Sequence, residues 1–600
     1  MTSLTLDYTI VSTEPALERA IKKCIKKGPT ALDFETTSLV PSEGRARLVS
    51  LCNDSCHYLV DFDGIRGGFR AVAKLFEGGQ WVCFNAGFED RWFMDARSKV
   101  HCLDVANLRR AILGGGNFSL KQAVLWDLDE DMSKEEQASD WALDTLTQSQ
   151  LDYAYKDADV TWRLWGYWAA QADGGRWMGF KMLNDMVPAV IEMETAGMLL
   201  DSAHHRKLIS NWESTRALKI KTIRKLVGED EVANIKSDSQ WSDYFALKLP
   251  DDFLSVWPRT EKTGQLSMKV ETLKKLAGVV PDTPLEEFFD ALSAYKTITK
   301  YLSSFGESLI TKANSSAGKR VRARFNIGAA KTCRFSCSSP NLQQIPRDKV
   351  ILGEATSVRR SFIAGLGRRL VSLDYSGIEL RVLALLSNDA QLLSDMVEGD
   401  VHSEVAAVIA GHKIDKKTKE GKEARQAAKG VSFGIIYGAG AVGLSTVMRT
   451  TVDKAQSYID FWQDRYQKAF QLRYDMLDEA RRTSFIRCVD GGTIYMTKSP
   501  ELPRAANFPV QRAALSIMAR AIVRHKNSLD IERAKGKQRM TRMVSTIHDA
   551  LIDEAAVTDT GKCLDIMRED MVKGYLDMFP DAPIDNLVEG GIGPNWAELE

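Results

Sequence analysis

Residues 425–438 read RQAAKGVSFGIIYG, and the spacing within them decides how the rest of the chain is read. Arg425, Lys429, Phe433 and Tyr437 recur every fourth position. On a helix they form one slowly drifting stripe, two cations followed by two aromatic rings. Such a stripe suits a nucleoside triphosphate, the cations meeting phosphates and the rings meeting sugar and base. An amphipathic helix with snorkelling cations has the same spacing, so the flanking segments carry the decision.

Upstream, RRLVSLDYSGIELRVLALLS (368–387) is an apolar strand that delivers Asp374 at its end, followed by a turn and an apolar helical run. Downstream, RMVSTIHDALIDEA (542–555) sets Asp549 in a short turn between two apolar strands, a hairpin pattern. Two acids placed in this way can converge on one metal pair. A second acidic site lies near the start of the chain, where ALDFETTSL (31–39) puts Asp33 and Glu35 on one face of a strand just before a polar turn. Paired carboxylates repel unless cations lie between them, which is how a two-metal hydrolytic site is seeded. WVCFNAGFEDRWF (81–93) adds Asn85 and Glu89, and LDYAYKDADVTWRLW (151–165) adds Tyr153 and Asp157. Each pair is four apart, as on a helix face.

The 600 residues carry 80 Lys plus Arg against 80 Asp plus Glu, so net charge gives no hint of a polyanionic partner. Length predicts two to four domains. No apolar stretch approaches a membrane span and the N-terminus lacks a signal-peptide pattern, which predicts a soluble, cytoplasmic protein without a membrane partner. The nine cysteines lack zinc-ribbon spacing, including Cys52 with Cys56 and Cys333 with Cys337, and read as free thiols of a reducing compartment. Cys56-His57 opens CHYLVDF, a strand pattern and not a ligand cluster. The first 170 or so residues alternate apolar runs with helical patterns, a mixed α/β unit, and residues 182–308 turn helical. Between 311 and 347, Lys312, Lys319, Arg320, Arg322, Arg324, Lys331, Arg334 and Arg347 occur with no acid among them, a candidate phosphate-contacting strip. A weaker basic stretch runs from Lys413 through Lys416 to Lys429.

DYSGIELR, RQAAKGVSFGIIYG and STIHDAL resemble motifs A, B and C of family A DNA polymerases, the bacterial DNA polymerase I and bacteriophage replicative group. TCRFSCSSPNLQQIPR, RAANFPVQ, VIEMETAGMLLD and EGGIGPNWAELE extend the resemblance over nearly the whole chain. Asp33-x-Glu35, Asn85-x3-Glu89 and Tyr153-x3-Asp157 resemble the three motifs of DEDD-type proofreading nucleases. The fold this implies is α/β: a ribonuclease-H-like exonuclease domain (1–175), then a right-hand polymerase. Its parts would be thumb and palm entry (176–330), palm with motif A (331–394), fingers with motif B (395–505) and palm with motif C (506–600).

The resemblance implies two Mg²⁺ ions per site, with Mn²⁺ as a substitute. They would be held by Asp374, Tyr375 and Asp549 for synthesis and by Asp33, Glu35, Glu89 and Asp157 for excision, where Tyr153 would orient the attacking water. Arg425 and Lys429 would bind the incoming phosphates, Lys429 also protonating pyrophosphate. Phe433, Tyr437 and His548 would line the nucleotide, and Glu379 would exclude a ribose 2′-hydroxyl. Arg334, Asn341, Gln343, Arg504, Asn507 and Gln511 match positions that touch primer-template DNA or order the site. Deoxynucleoside triphosphates and primer-template are the implied partners of a monomer. No thioredoxin-recruiting insertion interrupts the helical arm, and no room is left before Asp33 for the family's 5′ nuclease domain. That organisation leans towards a phage-encoded replicase. The chain departs from the family pattern at Glu89 (usually aspartate, with Asp90 adjacent), Gly377, Ala550 (usually a third carboxylate), Cys333 and Arg512 (both usually glycine).

Three other readings share parts of this pattern. GIIYGAGAVG spells G-x-G-x-x-G through Gly438, Gly440 and Gly443, the turn of an NAD-dependent oxidoreductase, but it continues a cation-bearing helix and no acid-ended strand follows at the required distance. A nuclease whose second half only grips DNA is opposed by the intact Asp374, Lys429 and Asp549. A single-subunit RNA polymerase is opposed by Glu379 and the nuclease motifs.

Overall fold

The computed structural model describes residues 7–599 except 133–135, 137–138, 229–230, 233, 261, 347–349, 352–353, 356, 398–400, 416, 449, 498 and 539. Arg347 and Lys416 of the two basic stretches lie outside the described residues.

The first unit is built on a six-stranded sheet. In chain order its strands are β1 (Thr9–Val11), β2 (Thr30–Thr36), β3 (Ala46–Asn53), β4 (Cys56–Asp61), β5 (Trp81–Cys83) and β6 (Leu103–Asp104). The spatial order is β1-β4-β3-β2-β5-β6, with β2, β3 and β4 antiparallel and the outer pairs parallel. The two-residue period of β2 sorts its side chains. Leu32 and Phe34 join an aromatic-rich core with Phe62, Phe69, Phe76 and Phe93, whereas Ala31 joins Leu48, Leu59, Ala154 and Ala158 on the other face. Asp33 and Glu35 share the face of Ala31, so β2 aims both acids at the helix that carries Ala154 and Ala158. Three of its helices bear on the acidic site: α1 (Gly87–Asp95), α2 (Val105–Leu113) and α3 (Gln148–Ala169). A reciprocal cap between Thr147 and Gln150 fixes the start of α3.

Beyond residue 200, the helices Ser202–Val227 and Pro284–Phe305 form a long arm. Its tip has a separate core around Trp241, Phe245, Trp257, Phe288 and Phe289. The remainder packs on a four-stranded antiparallel sheet of β7 (Arg368–Tyr375), β8 (Arg542–Ile547), β9 (Ala550–Ala556) and β10 (Val588–Gly593), in the order β8-β9-β7-β10. The turn expected at Asp549 is the β8–β9 hairpin. Four of the helices in this half bear on the site: α4 (Ile378–Ser387), α5 (Lys419–Ile436), α6 (Leu502–Ala534) and α7 (Thr560–Leu576). α6 and α7 cover one face of the sheet. There the Tyr375 hydroxyl donates to the Met571 carbonyl at 2.6 Å, and His525 meets Asp553 at 2.8 Å. Asp374, one residue out of step with Tyr375, therefore points to the opposite, open face.

Part of the contact between the two halves is main chain. The Gly115 and Gly116 amides donate to the Lys331 and Gly328 carbonyls at 3.0 and 2.9 Å. A Cβ on Gly115 would lie 1.6 Å from the Ala330 carbonyl oxygen, so only glycine permits this approach. All nine cysteines are buried as free thiols. Among the described residues no helix is long and apolar enough to cross a membrane.

Candidate active sites

In the first unit, Asp33 and Glu35 from β2 and Asp157 from α3 bring one carboxylate oxygen each within 4.8 Å of one another. They line a cavity of about 490 Å³ together with Asn85, Glu89, Tyr153 and Asp104. Burial and the neighbouring acids push Asp33 and Glu35 well above the usual carboxylate range, and burial followed by Asp33 does the same to Glu89. Burial, then Asp157 and Glu35, raises the Tyr153 phenol. Carboxylates pushed upward by burial and by one another are a donor set that fits hard divalent cations, which would relieve the repulsion.

Glu89, 2% exposed, keeps its Oε2 without a hydrogen-bond partner among the described residues. The adjacent Asp90 does not replace it. Asp90 is turned away, bound by the His101 ring at 2.5 Å and accepting from the Cys102 amide at 2.8 Å. One expectation is corrected here: Asn85 and Glu89 do not share a helix face. α1 begins at Gly87, and Asn85 precedes it with a left-handed φ of 69°. A residue the sequence reading passed over, Asp104, fixes that turn by accepting from the Asn85 and Ala106 amides at 3.0 and 2.8 Å. Its position as the cap before VANLRRAIL was the available signal.

In the second half, Asp374 lies near the end of β7, and Asp549 lies in the β8–β9 turn, where its carbonyl accepts from the Tyr375 amide at 3.2 Å. The Tyr375 side chain is buried on the helix-covered face, so it is the main chain of Tyr375 that borders the site. Burial pushes Asp549 up to about 6; Arg334 opposes that shift and Glu379 adds to it. Glu379, in the first turn of α4 and 7% exposed, is bound by the Arg334 guanidinium on one oxygen and by the Tyr437 hydroxyl on the other. His548 sits in the β8–β9 turn with φ 55°, and its imidazole is held down by desolvation and then by Arg334 and Arg359.

The motif stripe is present on α5. Lys429 Nζ lies 5.8 Å from the centre of the Phe433 ring, which lies 5.8 Å from that of Tyr437. The helix stops at Ile436, so Tyr437 is its cap and turns towards Glu379. Arg425 is half-buried one turn before Lys429. Arg504, Asn507 and Gln511 share one face of α6, while Asn341 and Gln343 lie in and beside the turn Leu342–Gln344. Asn341 Oδ1 and Asn507 Oδ1 are buried without a hydrogen-bond partner among the described residues.

Several departures from the family pattern acquire structural reasons. Gly377 caps α4 at φ 60°, and a Cβ there would lie 2.9 Å from Met396 Cε. Cys333 has φ 62°, a conformation natural to glycine. Arg512 points away from Gln511 into the core, fully buried, its Nε 2.9 Å from Asp490 and its Nη1 2.8 Å from the Thr493 carbonyl. The basic strip of 311–347 is only partly a surface. Arg320 is buried, 2.7 Å from Glu554 and donating to the carbonyls of Ala196 and Gly197, and so leaves the candidate phosphate contacts. The turn at Gly438 follows a helix, where a dinucleotide-binding turn would follow a strand.

Comparison with known proteins gives two family matches: "DNA polymerase family A" over residues 203–598 and "3′-5′ exonuclease" over residues 8–170. The chain is similar to DNA polymerase I of Chloroflexus aurantiacus, 27% identical over 622 residues, covering 98% of this chain and 63% of that protein. It is 30% identical to the thermostable DNA polymerase I of Thermus aquaticus over 434 residues, 70% of this chain and 48% of that one. The chain thus spans between about half and two thirds of these relatives. The solved POL domain of Pol1 from M. smegmatis, in complex with DNA primer-template and dNTP, matches with a TM-score of 0.80 at 21% identity, covering 98% of this chain and 99% of that one.

Proposed function

The chain belongs to DNA polymerase family A, and from that premise we propose that it adds deoxynucleotides to a primer 3′-hydroxyl under template direction and removes misplaced 3′ nucleotides at a second site. The observation that carries the reading is the cluster in which Tyr437, the cap of the motif helix, and Arg334 both hold Glu379 beside Asp549. Asp374, Asp549 and the main chain of Tyr375 would hold divalent cations, Mg²⁺ with Mn²⁺ as a substitute. Asp33, Glu35, Glu89 and Asp157 would do so for excision. When bound, these ions activate the attacking oxygen and neutralise charge on the phosphates.

The remaining work falls to the chain's own groups. Lys429 and Arg425 meet the triphosphate, and the Lys429 ammonium can pass a proton to the departing pyrophosphate. Phe433 and Tyr437 offer flat faces to sugar and base. Glu379, fixed by two partners, cannot swing aside for a 2′-hydroxyl, which favours deoxynucleotides. Asn341 and Asn507 present unbonded oxygens, and with Gln343, Arg504, Gln511 and His548 they would read and position primer-template DNA. Tyr153, set against Asp157, would orient the water that attacks the terminal phosphodiester. We assign residues 1–175 to excision and 176–600 to synthesis, in a protein that acts as a monomer.

The test is a 5′-labelled primer on a longer template, incubated with the protein and Mg²⁺, with and without the four deoxynucleotides. Extension with nucleotides and shortening without them is the expected result. Shortening in both lanes would overturn the synthetic half of the proposal and leave a nuclease that grips DNA.

A further inference from the structure

The sheet order sets Asp374 between two neighbours: Ala550 on β9 and Glu589 on β10 are its register partners. Residues directly opposite on antiparallel strands point to the same face, with Cβ atoms about 4.5–5.5 Å apart. Asp374 points to the open face, so Glu589 does too. Position 550, where the family pattern resembled here carries a third carboxylate, holds only a methyl group. On the other flank of Asp374 a carboxylate is present.

The backbone holds it there. Just before Glu589, the Ser376 amide donates to the Leu587 carbonyl at 2.9 Å, extending the contact of the two strands past the end of β7. Just after it, Gly590 has φ +144°, and a Cβ there would lie 2.2 Å from the Ser372 carbonyl oxygen. Only a glycine lets β10 press so closely on β7, and the residue before it is thereby fixed beside Asp374. Glu589 is exposed, and among the described residues no cation pairs with it. Like charges opposite one another on a sheet are unfavourable unless a cation lies between them.

We infer that Glu589 is the third carboxylate of the synthetic site, acting from the β10 side of Asp374, and that it binds, through a water of the ion's shell, the divalent cation held by Asp374. The inference rests on the proposed polymerase function. The glutamate adds negative charge to the ion's surroundings and orients its water, the task position 550 leaves undone.

The probe is Mn²⁺ alone, titrated into the full chain by electron paramagnetic resonance in a D33A/E35A background that removes excision-site ligands. E589Q is expected to weaken Mn²⁺ binding about tenfold and to raise the Mg²⁺ concentration for half-maximal extension by a similar factor, leaving the nucleotide KM unchanged. E589D, and A550E placed on E589Q, should each restore binding. Loss of Mn²⁺ in D374N without any change in E589Q would overturn the role of Glu589 alone. No change in either variant would overturn the metal-site reading beneath it, and the inference with it.

Discussion

The pair Arg512–Asp490 gives the sharpest energetic prediction. Both side chains are completely inaccessible. Arg512 also donates to the Thr493 carbonyl, and its guanidinium lies against Gly492, where a Cβ would sit 1.8 Å from Nη2. Burial works against the charge on Arg512, but Asp490 outweighs it, so the group stays protonated and the partners depend on one another. Arg512→Met leaves a buried carboxylate unpaired, which costs about 3–5 kcal/mol. The orphaned Thr493 carbonyl adds about 1 kcal/mol. Arg512→Met with Asp490→Leu removes both charges and should recover most of that loss, because replacing a buried pair by apolar groups is close to neutral. Urea unfolding followed by tryptophan fluorescence, with 13 tryptophans as reporters, measures all three forms. A single variant that loses under about 1 kcal/mol, or a double variant no more stable than the single, would refute the assignment of Arg512 to the core. Primer extension by the double variant at low temperature should stay near wild type, since the pair faces away from Gln511 and the DNA side of α6.

Other outcomes follow from the same geometry. Burial lowers His525, but Asp553 and Asp570 overcome it and hold the imidazole up to about 9. Its stabilising contribution is complete below its ordinary value of 6.5 and is lost as pH rises through about 9, so the Tm should fall across that window in wild type and much less in His525→Asn. Glu89→Ala should cut primer shortening by about a hundredfold, whereas Asp90→Asn should lower stability and spare excision. Glu379→Ala should reduce preference for deoxy- over ribonucleotides by roughly tenfold to a hundredfold in kcat/KM, read in single-nucleotide extension.

Local pattern carried much of both sites. The two-residue period of β2 placed Asp33 and Glu35 together, the apolar runs around Asp549 announced a hairpin, and four-residue spacing set the stripe of α5. What stayed hidden depends on partners distant in sequence. Arg320 looks like a phosphate contact until Glu554, 234 residues on, closes over it. Asn85 reads as helical until Asp104 takes its amide and holds a left-handed turn. Arg512 gives no sign in sequence of whether it faces DNA or Asp490. Glu589 acquires meaning only from strand order, since nothing local says that β10 lies beside β7.

The seam between the halves bears on how editing can be abolished. Gly115 and Gly116 satisfy carbonyls of the segment that leads to Arg334, and the Cys333 thiol reaches the Arg110 carbonyl at 3.6 Å. Cutting away the first unit would hand those carbonyls to water and release the left-handed turn at Cys333, and the grip of Arg334 on Glu379 would slacken. Truncation and point substitution would then yield different enzymes: a chain disarmed at Asp33 keeps its discrimination between sugars, and a chain shorn of its first 170 residues surrenders part of it.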